Sequence, residues 1–389
     1  MDIIVRHALV AGKVLDIGID KGIISTIQPS IEKKALDEFD AKGRVCIPGF
    51  VDAHLHLDKS LLNEEEVYQD VSGPEKGALT REMKKNFTVE DIMERAERVI
   101  RQAIRSGTLY LRTNVDVDDL VGTKGIEALL KLKEKYKSLI HIQVVAFAQE
   151  GFEKFPETYE LLEESLEMGA DLVGGHTIVD GSKGKEHIDK ILTLAKKYEV
   201  EADFHLDESG NQEHYLLPYL CDRMEEEGMA GWVNAIHCCT LYALPTEERE
   251  RAYQRMKEVG MKVTVAPTAI STRQLAPVKE LIAWGIPIAL GSDNVRDFFN
   301  PLGSGDVKQV ALLLSYVHRF YKKEETQQIW NMITDDGAMI LGIEDYGIQE
   351  GYPANLTILD ETSPLEVLAK QAQPVLLIRN GVNQTDQYI

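Results

Sequence analysis

The sequence predicts an α/β protein: a (β/α)8 TIM-type barrel joined to a small β-sandwich module built from the two chain ends. Three observations predict it. Across residues 48–345, short apolar β-rich runs alternate with amphipathic stretches of helical period, eight strands in all, as parallel βα units covered on both faces do. Outside that region the text is of short strands broken by glycine turns. Metal-ligating and acid–base side chains recur at the C-terminal ends of the eight runs, and closure into a barrel gathers such ends around one mouth. A doubly wound open sheet is the other arrangement of the same units.

The totals set the frame. At 389 residues the chain exceeds what one compact core usually takes, so a large domain with a smaller one is expected. Its 44% hydrophobic and 28% charged residues are ordinary for a soluble globular protein. A net charge of −21 repels phosphate, which argues against nucleic acid and anionic membrane surfaces as partners. Cys46, Cys221, Cys238 and Cys239 form no CxxC pair, so neither a disulfide framework nor a thiolate zinc site is indicated. The N-terminus lacks a basic signal-peptide region and no apolar run approaches ~18 residues. A cytoplasmic protein is expected.

Taken in order, residues 1–47 read as small antiparallel strands that cannot close a core alone. Their expected partner is the other end, where NLTILDET and PVLLIRNG supply further strands, so 1–47 and 346–389 form the module and 48–345 the barrel. VDAHLHLD is the first barrel strand; alternation sends His54 and His56 to one face and Ala53, Leu55 and Leu57 to the other. After a polar excursion over 63–88, TVEDIMERAERVIRQAIRSG is a helix capped by Thr88 and stopped by Gly107. Strands follow at TLYLRTNVDVD, IHIQVVAFAQ, DLVGGH, VEADFHLDE, WVNAIHCC, KVTVAPT and IPIALGSDN, each separated from the next by a helix. Two further helical stretches, NPLGSGDVKQVALLLSYVHRFY and TQQIWNMITDDGAMILG, lead back to the module.

The strand ends carry His54 and His56 on the first strand, Gln149 on the third, His176 on the fourth, His205 with Glu208 on the fifth, His237 on the sixth and Asp293 on the eighth. His54, His56, His205 and Asp293 would give three imidazoles and a carboxylate, leaving an open position for water as a catalytic site requires. Imidazole suits zinc or iron(II).

PGFVDAHLHLDK, HLDE, the histidine after the sixth strand and GSDNVRDFFNPLG together resemble the amidohydrolase superfamily, specifically its cytosine deaminase-like branch. RTNVDVD and AFAQEG resemble the branch's second and third strands, and EGYPANLTILD is similar to its closing segment. The resemblance implies one divalent metal ion, zinc or iron(II), held by His54, His56, His205 and Asp293. It further implies Glu208 as proton shuttle, His237 as partner of the hydroxide and Gln149 as reader of a substrate amide. Binuclear relatives carry a lysine after the fourth strand; here that strand ends Gly174-Gly175-His176.

Elementary chemistry supports the same roles. A bound metal brings the pKa of water to about 7, Asp293 can accept the released proton, and His237 holds the hydroxide toward a ring C=N carbon. Glu208 protonates the ring nitrogen and then the leaving amine. The pattern departs from the cytosine deaminase type at Asn294, where a second aspartate is usual, and at Phe299, in place of a tryptophan; both are expected to shape the substrate pocket. Arg296 between them invites a carbonyl-rich or anionic ring. SDNVRDFFNPLGSGD also resembles the triazine aminohydrolases of the N-isopropylammelide type.

The expected activity is therefore removal of an amino or alkylamino group from a small nitrogen heterocycle such as cytosine or a related pyrimidine or triazine. The alternatives are a cyclic amide hydrolase of the hydantoinase or dihydroorotase kind, which usually needs two metals, and a non-catalytic barrel that binds. His176 reads either as a substrate contact or as a buried barrel histidine. Asp58 with Lys59 reads either as a structural ion pair or as a binding element, and Arg112 with Asp116 as a similar pair inside the barrel. The partner is a small heterocycle, and the choice between monomer and homo-oligomer is open.

Overall fold

The structure, a computed structural model, describes residues 1–62 and 73–388. The N-terminal sheet comprises β1 (Ile3–Val10), β2 (Lys13–Asp20), β3 (Ile23–Gln28) and β4 (Asp37–Asp40), in the order β3-β2-β1-β4. The first three are antiparallel, but β4 runs parallel to β1, which corrects the purely antiparallel expectation. The buried Asp16 carboxylate fixes that crossover by accepting from the backbone N–H of His7 at 2.9 Å and of Ile31 at 3.0 Å, and from Arg6 at 2.9 Å. β5 (Cys46–Ile47) leaves this sheet and pairs with β14 (Leu356–Leu359), followed by β15 (Pro374–Arg379) and β16 (Val382–Asn383). Val5, Ile17, Ile19 and Ile24 from one sheet pack with Leu356, Ile358 and Ile378 from the other, in an apolar cluster separate from the barrel's.

The eight barrel strands are β6 (Phe50–Leu55), β7 (Thr108–Asp116), β8 (His141–Ala148), β9 (Leu172–His176), β10 (Ala202–Leu206), β11 (Val233–His237), β12 (Lys262–Val265) and β13 (Ile288–Leu290), all parallel and neighbours in chain order. Closure follows β13: Asp293 donates its N–H to the His54 carbonyl at 2.9 Å, and His56 donates to the Asp293 carbonyl at 3.0 Å. The seam of the barrel thus runs through three of the expected metal ligands.

Helices occupy the intervals the periodicity marks. The helix α2 (Val89–Ser106) buries Ile92, Ala96, Val99, Ile100 and Ala103, one stripe at helical spacing. Thr88 accepts from the Asp91 N–H, and Gly107 ends the helix at φ 87°. Of the stretch read as a polar excursion, residues 63–72 lie outside the described residues, while Gly73–Lys84 is a helix, α1. Its anchor is polar: the buried Lys84 ammonium lies 2.6 Å from Asp116 and 2.7 Å from Asp118 at the end of β7. TQQIWNMITDDGAMILG forms two helices, Lys323–Met332 and Asp335–Ile340, because Thr334 between them takes non-helical angles of φ −133° and ψ −105°. Among the described residues no helix is long and apolar enough to cross a membrane.

Candidate active site

The first strand sets the geometry. Asp52, His54 and His56 alternate onto the inner face, and all are buried. His54 Nδ1 lies 3.1 Å from Asn114 Oδ1, and His56 Nδ1 lies 3.0 Å from the Asn114 backbone oxygen. Asn114 Nδ2 donates to Asp203 at 2.9 Å, which fixes the amide so that its oxygen faces His54. Both imidazoles therefore carry hydrogen on Nδ1 and present the Nε2 lone pair inward. Beneath them Asp203 also accepts from Asn234 at 2.8 Å and from Arg112 at 3.3 Å, a buried polar floor with its charges and amides paired.

The remaining strand ends complete the set. Asp293 Oδ1 stands 3.4 Å from His54 Nε2 and 3.5 Å from His56 Nε2. His205 packs with its ring centre 4.9 Å from that of His54 and 4.8 Å from that of His237. Two ligands each about 2.1 Å from an ion in tetrahedral geometry sit roughly 3.4 Å apart, so the imidazole–carboxylate spacings are those of a shared cation. The nitrogens fit as well: Nε2 of His54 and of His205 are buried and without hydrogen-bond partners among the described residues. Donor atoms of His54, His56 and His205 fall within 4.8 Å of one another, as do those of His54, His237 and Asp293.

Electrostatics act unequally on the donors: against its burial, His54 is raised by the Asp293 and Asp203 carboxylates. Burial pushes His205 down to about 4 and His237 down to about 3, so both rings are neutral near pH 7. His56 is depressed by burial and by the Lys59 ammonium. Burial opposes a charge on Asp293, yet the adjoining His54 ring and the other imidazoles around it hold its carboxyl well below the usual range. Asp207, His237, Cys238 and Asp293, at or beyond strand ends, all take left-handed φ values, 52°, 74°, 48° and 61°. Such residues cost of order 1–3 kcal/mol each and persist only where the surroundings impose them. Here the bends carry the chain off each strand beside the site. Gly291 is obligatory at the seam, since a Cβ there would sit 2.5 Å from the His54 carbonyl oxygen.

Glu208 lies half-buried beyond His205. One carboxylate oxygen is bound by Arg273; the other is 2.9 Å from His176 Nε2 and 3.5 Å from His205 Nδ1. Burial opposes its charge, but His237, His176 and Arg273 outweigh it and hold Glu208 ionised. These groups line a cleft of about 180 Å3 together with Gln149, Asn294 and Phe299. Gln149 has one partner at each end of its amide, its oxygen accepting from Lys59 at 3.1 Å and its nitrogen 3.2 Å from His176 Nδ1, which leaves one lone pair and one N–H for a substrate. Asn294 donates to Asp297, and Phe299 is partly exposed at the mouth. Arg296 is not among the residues lining the cleft; Arg273, Lys59 and Lys76 are its cations.

Two expected ion pairs are re-partnered. Lys59 bonds Asp116 at 3.0 Å rather than Asp58, whose Oδ2 accepts the Asp116 N–H at 3.0 Å. Arg112 reaches Asp203 rather than Asp116: four residues along one strand are roughly 13 Å apart, which puts Arg112 near the barrel floor and Asp116 at its mouth. Sequence reasoning missed Asn114 and Arg273. The alternation Arg112, Asn114, Asp116 on an otherwise apolar strand was the available signal for the first. For Arg273, it was the absence of any candidate after the seventh strand.

Comparison with known proteins gives the family. N-isopropylammelide isopropyl amidohydrolase of Pseudomonas sp. (strain ADP) is 39% identical over 392 aligned residues, 98% of this chain and 96% of that protein. A structure of 5-methylcytosine deaminase from Klebsiella pneumoniae liganded with 5-fluorocytosine superposes with a TM-score of 0.91 at 29% identity, covering 98% of this chain and 96% of the other. That of N-isopropylammelide isopropylaminohydrolase from Burkholderia multivorans gives 0.90 at 27% identity, covering 98% of each chain. With a model of the amidohydrolase family matching residues 88–382, the chain belongs to the amidohydrolase family, hydrolases of carbon–nitrogen bonds.

Proposed function

We propose that the protein removes an amino or alkylamino substituent from a small nitrogen heterocycle, a pyrimidine or triazine, with His54, His56, His205 and Asp293 holding one zinc or iron(II) ion. The observation that carries this reading is the convergence of inward imidazole lone pairs on an ionised carboxylate at ligand spacing. The names of the similar proteins, an amidohydrolase of N-isopropylammelide and a 5-methylcytosine deaminase, support the substrate class. Residues 48–345 are the catalytic part, with the module of 1–47 and 346–389 packed beside it. Four buried cysteines with thiol pKa values raised by burial suit the reducing cytoplasm.

An ion held by His54, His56, His205 and Asp293 would supply a water acidified enough to act as nucleophile near neutral pH. The protein does the rest. Asp293, held ionised, accepts a proton from the water. His237, buried and neutral, orients the attacking oxygen through a ring nitrogen that has no other hydrogen-bond partner among the described residues. Glu208, an ionised carboxylate in reach of the same space, takes one of the water's two protons and delivers it to the ring nitrogen as the carbon–oxygen bond forms; ionised again, it relays the second, the one accepted by Asp293, to the amine as the carbon–nitrogen bond breaks. Asn294 and Phe299 border the substrate from the mouth. The cleft is smaller than those that take drug-sized ligands, which restricts the substrate to a small ring system.

The cyclic amide alternative keeps one specific support: donor atoms of His176, His205 and Glu208 also lie within 4.8 Å of one another, a second group able to hold a cation. An ammonia- and amine-release screen over pyrimidines, purines, pterins and triazines separates the readings. The zinc- or iron-loaded protein is expected to release amine, and Glu208→Gln to keep its metal while turnover falls about 10²- to 10⁴-fold. Near-normal turnover in Glu208→Gln would remove that residue from the chemistry.

A further inference from the structure

Four side chains between β6 and the fifth strand end form a chain of polar contacts: Lys59 Nζ to Gln149 Oε1 at 3.1 Å, Gln149 Nε2 to His176 Nδ1 at 3.2 Å, and His176 Nε2 to Glu208 Oε2 at 2.9 Å. The direction of every proton in that chain follows from its first member. The Lys59 ammonium is donor only, and it is anchored by the Asp116 carboxylate at 3.0 Å. Gln149 must therefore turn its oxygen to Lys59, since the reverse orientation would set NH2 against NH3⁺. The amide nitrogen then faces His176 as a donor. His176 Nδ1 must accept, so in the neutral ring the hydrogen sits on Nε2, the atom facing Glu208. That last approach is short but not in line for a full hydrogen bond, so a small rotation of either group completes it.

We infer that Lys59 and Gln149 are positioning residues that hold His176 as its Nε2–H tautomer, making His176 a hydrogen-bond donor to Glu208 rather than a ligand for a second metal ion. A ring nitrogen that carries hydrogen has no lone pair for a cation, so the group of His176, His205 and Glu208 does not bind one. Arg273 holds one oxygen of Glu208, and His176, 2.9 Å from the other, would complete the grip and fix the plane of the carboxylate before substrate arrives. The kinetic consequence rests on the proposed role of Glu208; the tautomer does not.

The test is nitrogen-15 NMR of the histidine rings in zinc-loaded full-length protein, with His176→Gln identifying the signals of interest. The inference predicts an Nε2-protonated pattern for His176 and one zinc per chain. Gln149→Glu offers a carboxylate oxygen to Nδ1 in place of the amide donor, so the pattern is expected to invert to Nδ1-protonated. In that variant kcat should fall about 10- to 100-fold, as loss of outer partners does, with KM little changed. A wild-type ring protonated at Nδ1, a zinc-shifted Nε2, or a pattern unmoved by Gln149→Glu overturns the inference. Should Gln149→Glu fail to fold, the wild-type spectrum alone decides. Persistent activity in Glu208→Gln with the expected tautomer would instead count against the catalytic role of Glu208.

Discussion

Asn114 uses both its oxygens on histidines of the proposed metal site, the side-chain one on His54 and the backbone one on His56. It determines which nitrogen of each ring is free. Asn114→Leu is expected to weaken metal affinity by about 10- to 100-fold, read by competition with a chromophoric chelator; unchanged affinity would show that the two rings orient themselves. The histidines and Asp293 were legible in the sequence because each ends a strand and strand ends meet at a barrel mouth. Asn114 and Arg273 were not, since a residue gains such a role only from its partner. Arg273 meets its carboxylate 65 positions away, and no local spacing encodes that. The pairings of Lys59 and Arg112 were misread for a related reason: proximity in sequence on a strand is not proximity along its 3.3 Å rise.

At the level of elements, the barrel strands and their helices were legible because burial imposes a period. β6 and β7 are buried throughout, and α2 shows its apolar stripe between a threonine cap and a left-handed glycine. α1 was not, having only Leu79 and Met83 as large apolar residues. Ions hold it instead. Lys84→Met would leave Asp118 with an uncompensated buried charge and Asp116 with Lys59 alone, and breaking such a pair costs about 3–5 kcal/mol, whereas Lys85→Met removes only an exposed pair with Glu82, worth about 0–1 kcal/mol. Thermal denaturation of the two variants checks this; equal losses would mean that α1 is not anchored through Lys84. At the seam, Gly291→Ala drives a methyl group against His54 and is expected to cost both stability and bound metal. Intact metal content in that variant would contradict the account of closure.

The whole molecule should be acid-labile in a manner traceable to one buried pair. His187 Nδ1 lies 2.7 Å from Asp180. Burial holds His187 below its ordinary 6.5, although Asp180 opposes the shift. Asp180 is held below 3.8, its own burial being outweighed by His187 and the N–H groups of Glu153 and Phe152. As pH falls below 6.5 the unfolded chain takes a proton on His187 that the folded chain refuses, so stability drops; Asp180 adds to the loss below 3.8. His187→Asn should be less stable at pH 7 and lose less on going to pH 5, measured by urea denaturation; an identical pH slope would exclude the pair. The central claim concerns the mouth of the barrel, and metal analysis by mass spectrometry on purified protein tests it most directly. One zinc or iron per chain in the wild type and none in a folded His54→Ala variant is the result predicted. No metal in the wild type, or an equivalent retained by His54→Ala, would contradict it.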